Sequence, residues 1–318
     1  MRVAITGCSG YLAGQLIPHL LADEAVTEVI GLDVLAPRLQ PPGMSFLRRD
    51  VRDETLADSL LDLDIDVMAH LAFILNPTKD EDFMRSINVD GTRNILAACE
   101  RSGIRRVLVT SSASAYGARE VNTPLLNEDT ALPPPAEIGF SYARHKIEQE
   151  QVCDEFKDSI EIVRARPVAV LGPNTDNFIQ KMLTQPSLVT LRDFNPEMQF
   201  VHERDLGYAL YCLLKNGERG VYNIAAPDTI RIHDIAEVIG RPLKRYSTKM
   251  LMRVTAMLWK IGRAAVPPEY LPYIQYPWTV DTAKAEKAGF RARFSSVDAL
   301  RQLNARTSDL VRSPADDL

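Results

Sequence analysis

The sequence predicts a doubly wound α/β fold, a parallel sheet with helices on both faces, and a smaller second domain that is discontinuous in sequence. Three observations lead there. The first half alternates short β-branched runs with longer helical patterns, as repeated strand-helix units do. A glycine-rich turn follows the first strand at once and opens a helix. At 318 residues the chain is long enough for one large core with a satellite beside it.

The first strand is Arg2 to Thr6, followed by Gly7-Cys8-Ser9-Gly10-Tyr11-Leu12-Ala13-Gly14 and a helical pattern through Leu21. Pro18 sits inside that helix at a local cost. Glu28 to Asp33, Val67 to Leu71, Arg106 to Ser111 and Glu161 to Arg166 are the next strands. Asn88 to Arg101 reads as a helix closed by Gly103, and Ser141 to Phe156 as another without internal Pro or Gly. Beyond Pro167 the pattern is broken by Pro173, Pro186 and Pro196. A helix from His202 to Asn216 and a strand from Gly220 to Ala225 then return to the sheet. The expected division is therefore 1–171 plus 199–226 for the sheet domain and 172–198 plus 227–304 for the satellite. The polar segment 305–318, which contains Pro314, is expected to fray. Met250 to Val266 carries Arg253, Lys260 and Arg263, too much charge for a membrane span. It reads as an amphipathic helix covering a core or a subunit partner rather than a membrane surface.

A formal net charge of -5 offers no basic surplus for phosphate backbones, so no nucleic-acid partner is expected. Cys8, Cys99, Cys153 and Cys212 are scattered without CxxC spacing, which predicts small buried hydrophobes and no metal site. The start MRVAITGCSG runs directly into a strand and lacks the pattern of a secretory signal, so a cytoplasmic location is expected.

The turn after the first strand lets backbone amides and the positive helix N-terminus face a pyrophosphate. Its weight comes from context: strand before, helix after, and Asp33 at the end of the second strand. Asp33 is placed to accept the adenosine ribose hydroxyls and to repel a 2'-phosphate, so NAD is expected over NADP. Arg38 nearby is read as solvated surface. This is a Rossmann-type dinucleotide site.

Tyr142 and Lys146 are spaced i,i+4 on a predicted helix and project from one face. An ammonium beside a phenol stabilises phenolate and is expected to lower its pKa, making tyrosine a usable acid/base. The spacing alone is common on solvated faces. It gains force from Ser112, which follows the strand Arg106 to Ser111 and reaches the same sheet edge.

Further ordered segments join these: Asp50-Val51, His70-Leu71-Ala72, Asn88-Val89-x-Gly91-Thr92-x-Asn94, Ser111-Ser112-x-x-x-Tyr116-Gly117, and Arg166-Pro167 before Gly172-Pro173. Phe200-Val201-His202-x-x-Asp205-Leu206 and Tyr222-Asn223-Ile224 complete the series. Together they resemble the extended short-chain dehydrogenase/reductase family, in its NAD-dependent epimerase/dehydratase branch and near its UDP-glucose 4-epimerase-like subgroup. The resemblance implies that Ser112 hydrogen-bonds the reacting oxygen, Tyr142 exchanges its proton, and Lys146 holds the nicotinamide ribose. Asn88 is implied as the helper that organises the site. Cofactor contacts are implied for Gly7, Ser9, Gly10, Tyr11, Leu12, Asp33, Asp50, Val51, Leu71, Ala72, Tyr142, Lys146 and Pro167. His70, His202 and Asp205 read as structural. A homodimer through the helices Asn88 to Arg101 and Ser141 to Phe156 is a further family-level expectation.

Two departures narrow the function. Ala113 and Ser114 stand where the family's dehydratases carry an Asp-Glu pair, which demotes elimination. Met198 and Gln199 precede Phe200, and Tyr276-Pro277-Trp278 precedes Val280-Asp281, where the nucleotide-sugar epimerases carry arginines for the substrate diphosphate. Arg192, Arg204 and Arg245 remain as substitutes at other backbone positions. The leading expectation is an epimerase-like hydride cycle at a secondary alcohol. A dehydrogenase or reductase of a non-nucleotide hydroxyl or ketone is the alternative, and a non-catalytic NAD sensor a second alternative.

Overall fold

The computed structural model describes residues 1–76 and 78–304; the segment 305–318, expected to fray, lies outside the described residues. Seven parallel strands form the main sheet: β1 (Arg2–Thr6), β2 (Glu28–Asp33), β3 (Met44–Arg48), β4 (Val67–His70), β5 (Arg106–Thr110), β6 (Glu161–Pro167) and β7 (Gly220–Ile224). Their spatial order is β7-β6-β5-β4-β1-β2-β3. The order reverses at β1, the topological switch point of a doubly wound sheet. β3 has no counterpart in the sequence reading. It is an edge strand, only half-buried along most of its length, and so lacks the apolar run of a central parallel strand.

Both faces of the sheet are covered. On one, α1 (Tyr11–Leu21) and α4 (Glu203–Asn216) bury Leu16, Leu20, Leu210 and Leu213 against Val3, Ile5, Leu108 and Val163. On the other, α2 (Gly91–Ser102) and α3 (Ser141–Glu155) bury Ile95, Cys99, Val152 and Cys153 against Ala4, Met68, Val107 and Ile162. Successive strand residues thus go to opposite cores, which is why these strands read as continuous apolar runs. Burial of this apolar area is the main stabilising term, worth about 25 cal/mol per Å² removed from water. α1 and α4 approach closely at Gly207, where a Cβ would stand 2.4 Å from the Gln15 carbonyl oxygen. All four cysteines are buried and unpaired, as expected of small hydrophobes.

The single helix expected from Asn88 is two pieces, a widened turn over Ser86–Asp90 and then α2, which ends at Gly103 in the left-handed region (φ +79°). Past Pro167 three two-stranded pairs organise the chain: Ala169–Leu171 with Phe200–His202, Leu188–Leu191 with Leu243–Tyr246, and Glu197–Met198 with Ile230–Arg231. His202 caps α4 by accepting from the Arg204 amide (3.2 Å), and Asp205 accepts from the Arg293 and Phe294 amides (3.0 and 2.9 Å). α5 (Thr248–Lys260), capped by Ser247, buries only Leu251. It meets the core through Leu251, while most of its apolar side chains face outward, so core cover accounts for only one side of the amphipathic pattern. No helix among the described residues is long and apolar enough to cross a membrane.

Candidate active site

The C-terminal ends of β1, β4, β5 and β6 border a cavity of about 470 Å³, whose lining includes Gly7, Gly10, Tyr11, Leu12, Leu71, Ser112, Tyr142, Lys146 and Pro167. That is the size and place expected of a ligand site in an open parallel sheet. Gly7 adopts φ +70°, and a Cβ on it would lie 2.8 Å from the backbone of Ala72, so the turn presses onto the chain leaving β4. Gly10 precedes α1 and supplies no side-chain cap, leaving the first amides of the helix to face the cavity mouth. These features fit a dinucleotide pyrophosphate.

Asp33 ends β2, and its carboxylate accepts from the Ser9 amide (3.1 Å), the Ser9 hydroxyl and the Leu35 amide (3.2 Å). Asp50 is engaged by Arg52 at 2.7 Å, which holds its carboxyl below the usual carboxylate range. The Val51 carbonyl accepts from Asn94 at 2.8 Å. Asp33, Asp50 and Val51 thus lie along the sheet edge beyond the cavity rather than in its wall.

Ser112 follows β5 in extended backbone, and its Oγ accepts from the Ser114 amide (3.1 Å) and hydroxyl (2.9 Å). Tyr142 and Lys146 project from the first turns of α3. The Lys146 ammonium donates to the Thr110 carbonyl (2.6 Å) and Gln149 Oε1 (3.1 Å), and lies 3.3 Å from the Phe73 ring centroid and 6.0 Å from that of Tyr142. The expected lowering of the phenol is not what the geometry produces. Burial pushes Tyr142 up to about 12, opposed by a hydrogen bond from Ser112. Burial likewise holds the Lys146 pKa well below its ordinary value. Desolvation of both groups outweighs their proximity.

Asn88 is fully buried and stands one layer behind the cavity. Its Oδ1 accepts from the Ile74 amide (2.7 Å) and its Nδ2 donates to the Ile74 carbonyl (3.2 Å), clamping the loop that carries Phe73 to Asn76 of the wall. It is a positioning residue. His70, buried and pushed down to about 3 by burial, bridges Thr6 (2.7 Å) and Thr92 (2.9 Å). Thr92 also accepts from Gln149 (3.1 Å), so the chain of bonds runs from β1 through His70 to the partner of the Lys146 ammonium. Below α3, Glu150 is paired with Arg166 at 2.6 Å and accepts from Ser111 at 2.5 Å, locking the helix to β5 and β6.

The outer wall comes mostly from the satellite segments 172–198 and 227–304, whose individual wall residues the sequence did not single out. Phe140, Phe178, Tyr270, Tyr273 and Trp278 line it, with Phe73, Ile74 and Leu75 opposite. Phe140 packs edge-on against Phe178, Tyr270 and Tyr273 at centroid distances of 5.5–5.7 Å. The Tyr273 hydroxyl is spent on the Ser114 carbonyl (2.8 Å) and the Trp278 indole on the Tyr273 carbonyl (3.1 Å). Among the described residues no arginine lines the cavity; Arg192, Arg204 and Arg245 all lie elsewhere. Gln199, ahead of Phe200, is buried and bonds the Ala226 carbonyl and the Val280 amide, both at 2.8 Å.

A doubly wound sheet with a cavity at its switch point, lined by the glycine turn together with Ser112, Tyr142 and Lys146, is the arrangement of a dinucleotide-binding fold. The model of the NAD dependent epimerase/dehydratase family matches residues 3–225, and the chain belongs to that family, within the extended short-chain dehydrogenases/reductases. It is an NAD-dependent enzyme. An uncharacterized protein of Mycobacterium tuberculosis is 24% identical over 311 residues, covering 93% of this chain and 81% of that one. The UDP-glucuronic acid 4-epimerase of Bacillus cereus, solved with NAD, shares the fold at a TM-score of 0.70 and 22% identity, covering 98% of this chain and 100% of that one. The UDP-glucose 4-epimerase of Thermotoga maritima, solved with UDP-glucose, gives 0.75 at 17% identity with the same coverage.

Proposed function

We propose that the chain is an NAD-dependent dehydrogenase or reductase that exchanges a hydride with a secondary alcohol, or the matching ketone, of an apolar substrate carrying no diphosphate. The observation that carries this reading is the cavity wall beyond Ser112 and Tyr142, which is aromatic and aliphatic and, among the described residues, has no arginine. A diphosphate brought there would meet Lys146 as its sole lining cation, and that group is already held by Thr110 and Gln149. Desolvating two phosphate charges without partners costs far more than an apolar wall returns.

In this reading Ser112 donates a hydrogen bond to the reacting oxygen and Tyr142 exchanges its proton. Lys146 holds the nicotinamide ribose, Asp33 accepts the adenosine ribose hydroxyls, and Asn88 keeps Phe73 and Ile74 in place. NAD held there would supply the hydride chemistry at the substrate carbon. A phenol raised to about 12 is protonated at neutral pH, which suits donation to a carbonyl oxygen during reduction. Dehydration finds little support, since Ser114, spent on Ser112, occupies the place of an acid/base pair.

The test measures NADH consumption with cyclic and aryl-alkyl ketones against UDP-glucose. Stoichiometric oxidation of NADH with an apolar ketone is the expected result. Interconversion of a UDP-sugar with no net change in NADH overturns the proposal in favour of the epimerase cycle. Turnover of neither leaves a sensor, for which Tyr142→Phe would not alter function.

A further inference from the structure

α5 has an outward face that the fold does not use. Met250, Val254, Met257 and Ile261 follow i, i+4, i+7, i+11 spacing and are 38–60% exposed, forming one apolar stripe along the helix. Leu251, buried, and Leu258 and Trp259, half-buried, occupy the side turned to the protein. Lys249, Arg253 and Lys260 repeat at helical spacing as a second stripe, about 80–100° from the first. The charge of the surrounding chain is one-sided. From Val238 to Pro268 there is no Asp or Glu, but there are seven cations: Arg241, Lys244, Arg245, Lys249, Arg253, Lys260 and Arg263. Among the described residues none of the seven forms an ion pair. This stands against a formal net charge of -5 for the whole protein.

We propose that α5 is a docking helix that lies in the surface of an anionic lipid bilayer. Its Met250–Ile261 stripe would sit among the acyl chains, with the flanking lysines and arginines at the headgroup phosphates. An exposed apolar stripe beside unpaired cations is the arrangement such helices present. A second copy of this chain is a poorer occupant. A two-fold interface sets a patch against itself, and here that would oppose cation to cation with no carboxylate between 238 and 268 to relieve it. The nearby acids do not reach the stripe: Asp80, Glu81, Asp82 and Glu269 line a cleft on the other side of α5, with Ala256 and Trp259. Thr78 lines both that cleft and the active-site cavity, so the cleft separates α5 from the cavity.

The test is co-sedimentation of the full chain with vesicles of phosphatidylcholine alone and of phosphatidylcholine mixed with phosphatidylglycerol. The expected result is binding roughly tenfold or more tighter to the anionic vesicles and weakened by salt. The double variant Met257→Glu/Ile261→Glu should lose it while keeping the thermal shift given by NAD. Lys249→Glu/Arg253→Glu should lose the preference for anionic lipid. Failure of the wild-type chain to bind either vesicle overturns the proposal, as does full retention of the preference by the charge-reversal variant. A dimer in sedimentation velocity that Met257→Glu/Ile261→Glu dissolves would make a second copy the occupant and overturn it equally.

Discussion

Tyr142 shows how environment outranks spacing. Its partner Lys146 is one helical turn away, yet the burial that brings the two together also raises the phenol and depresses the ammonium. With Tyr142 held up to about 12, its acid form dominates throughout the neutral range. Ketone reduction should therefore hold its rate through the neutral and mildly alkaline range. Alcohol oxidation, which needs the phenolate, should rise with pH over the same range. Rate profiles in the two directions check this. Tyr142→Phe should lower kcat by about 10²–10⁴-fold and leave NAD affinity nearly unchanged, as read by steady-state kinetics and titration. Ser112, Tyr142 and Lys146 were legible because each sits at a fixed offset from a strand end or helix start. Asn88 stood out within its motif, but its grip on Ile74 was not legible, since no local pattern ties residue 88 to residue 74.

Helix α3 carries two of the three side chains proposed to react, so what anchors it matters to the proposed chemistry. Its strut is the buried Glu150–Arg166 pair, supported by Ser111 and by Arg166 lying 4.6 Å from the Tyr116 ring centroid. Removing one member leaves an uncompensated buried charge, so Glu150→Ala should destabilise the protein by about 3–5 kcal/mol in urea unfolding. Arg166 hydrogen bonds hold the Glu150 carboxyl below its ordinary value in the folded state. Its contribution should accordingly be complete above the unfolded value of about 4.3 and disappear as pH falls through the lower folded one. The variant should lose that part of the acid sensitivity. Central strands and the long helices were readable because they are apolar on both faces or periodic. β3 was not, being a half-buried edge, and neither was the widened turn at Ser86–Asp90, where Asn88 turns inward to reach Ile74.

The molecule as a whole divides its labour between the parallel sheet, which supplies the cofactor turn and the Ser112, Tyr142 and Lys146 side chains, and later segments that close the cavity through Phe178, Tyr270, Tyr273 and Trp278. Cofactor bound to the folded state alone stabilises it by mass action. NAD at a hundredfold excess over its Kd should add about 2.7 kcal/mol, and NADP at the same concentration less, by the proposed placing of Asp33 against a 2'-phosphate. Thermal unfolding with each nucleotide measures the difference. An equal or larger shift with NADP would assign Arg38 the phosphate-binding role.

The doubly wound architecture, the NAD turn and the Ser112-Tyr142-Lys146 set were all present in the linear chain. Each depends on local rules: a strand's apolar run, a glycine's freedom at φ +70°, a helix's i,i+4 geometry. The aromatic cavity wall, the absence of an arginine from it among the described residues and the outward turn of α5 depend on which distant segments meet. Phe73, Phe140, Phe178 and Tyr270 share one cavity only after the chain beyond Pro167 folds back over the strand ends, and an amphipathic pattern does not say which side of a helix finds a neighbour.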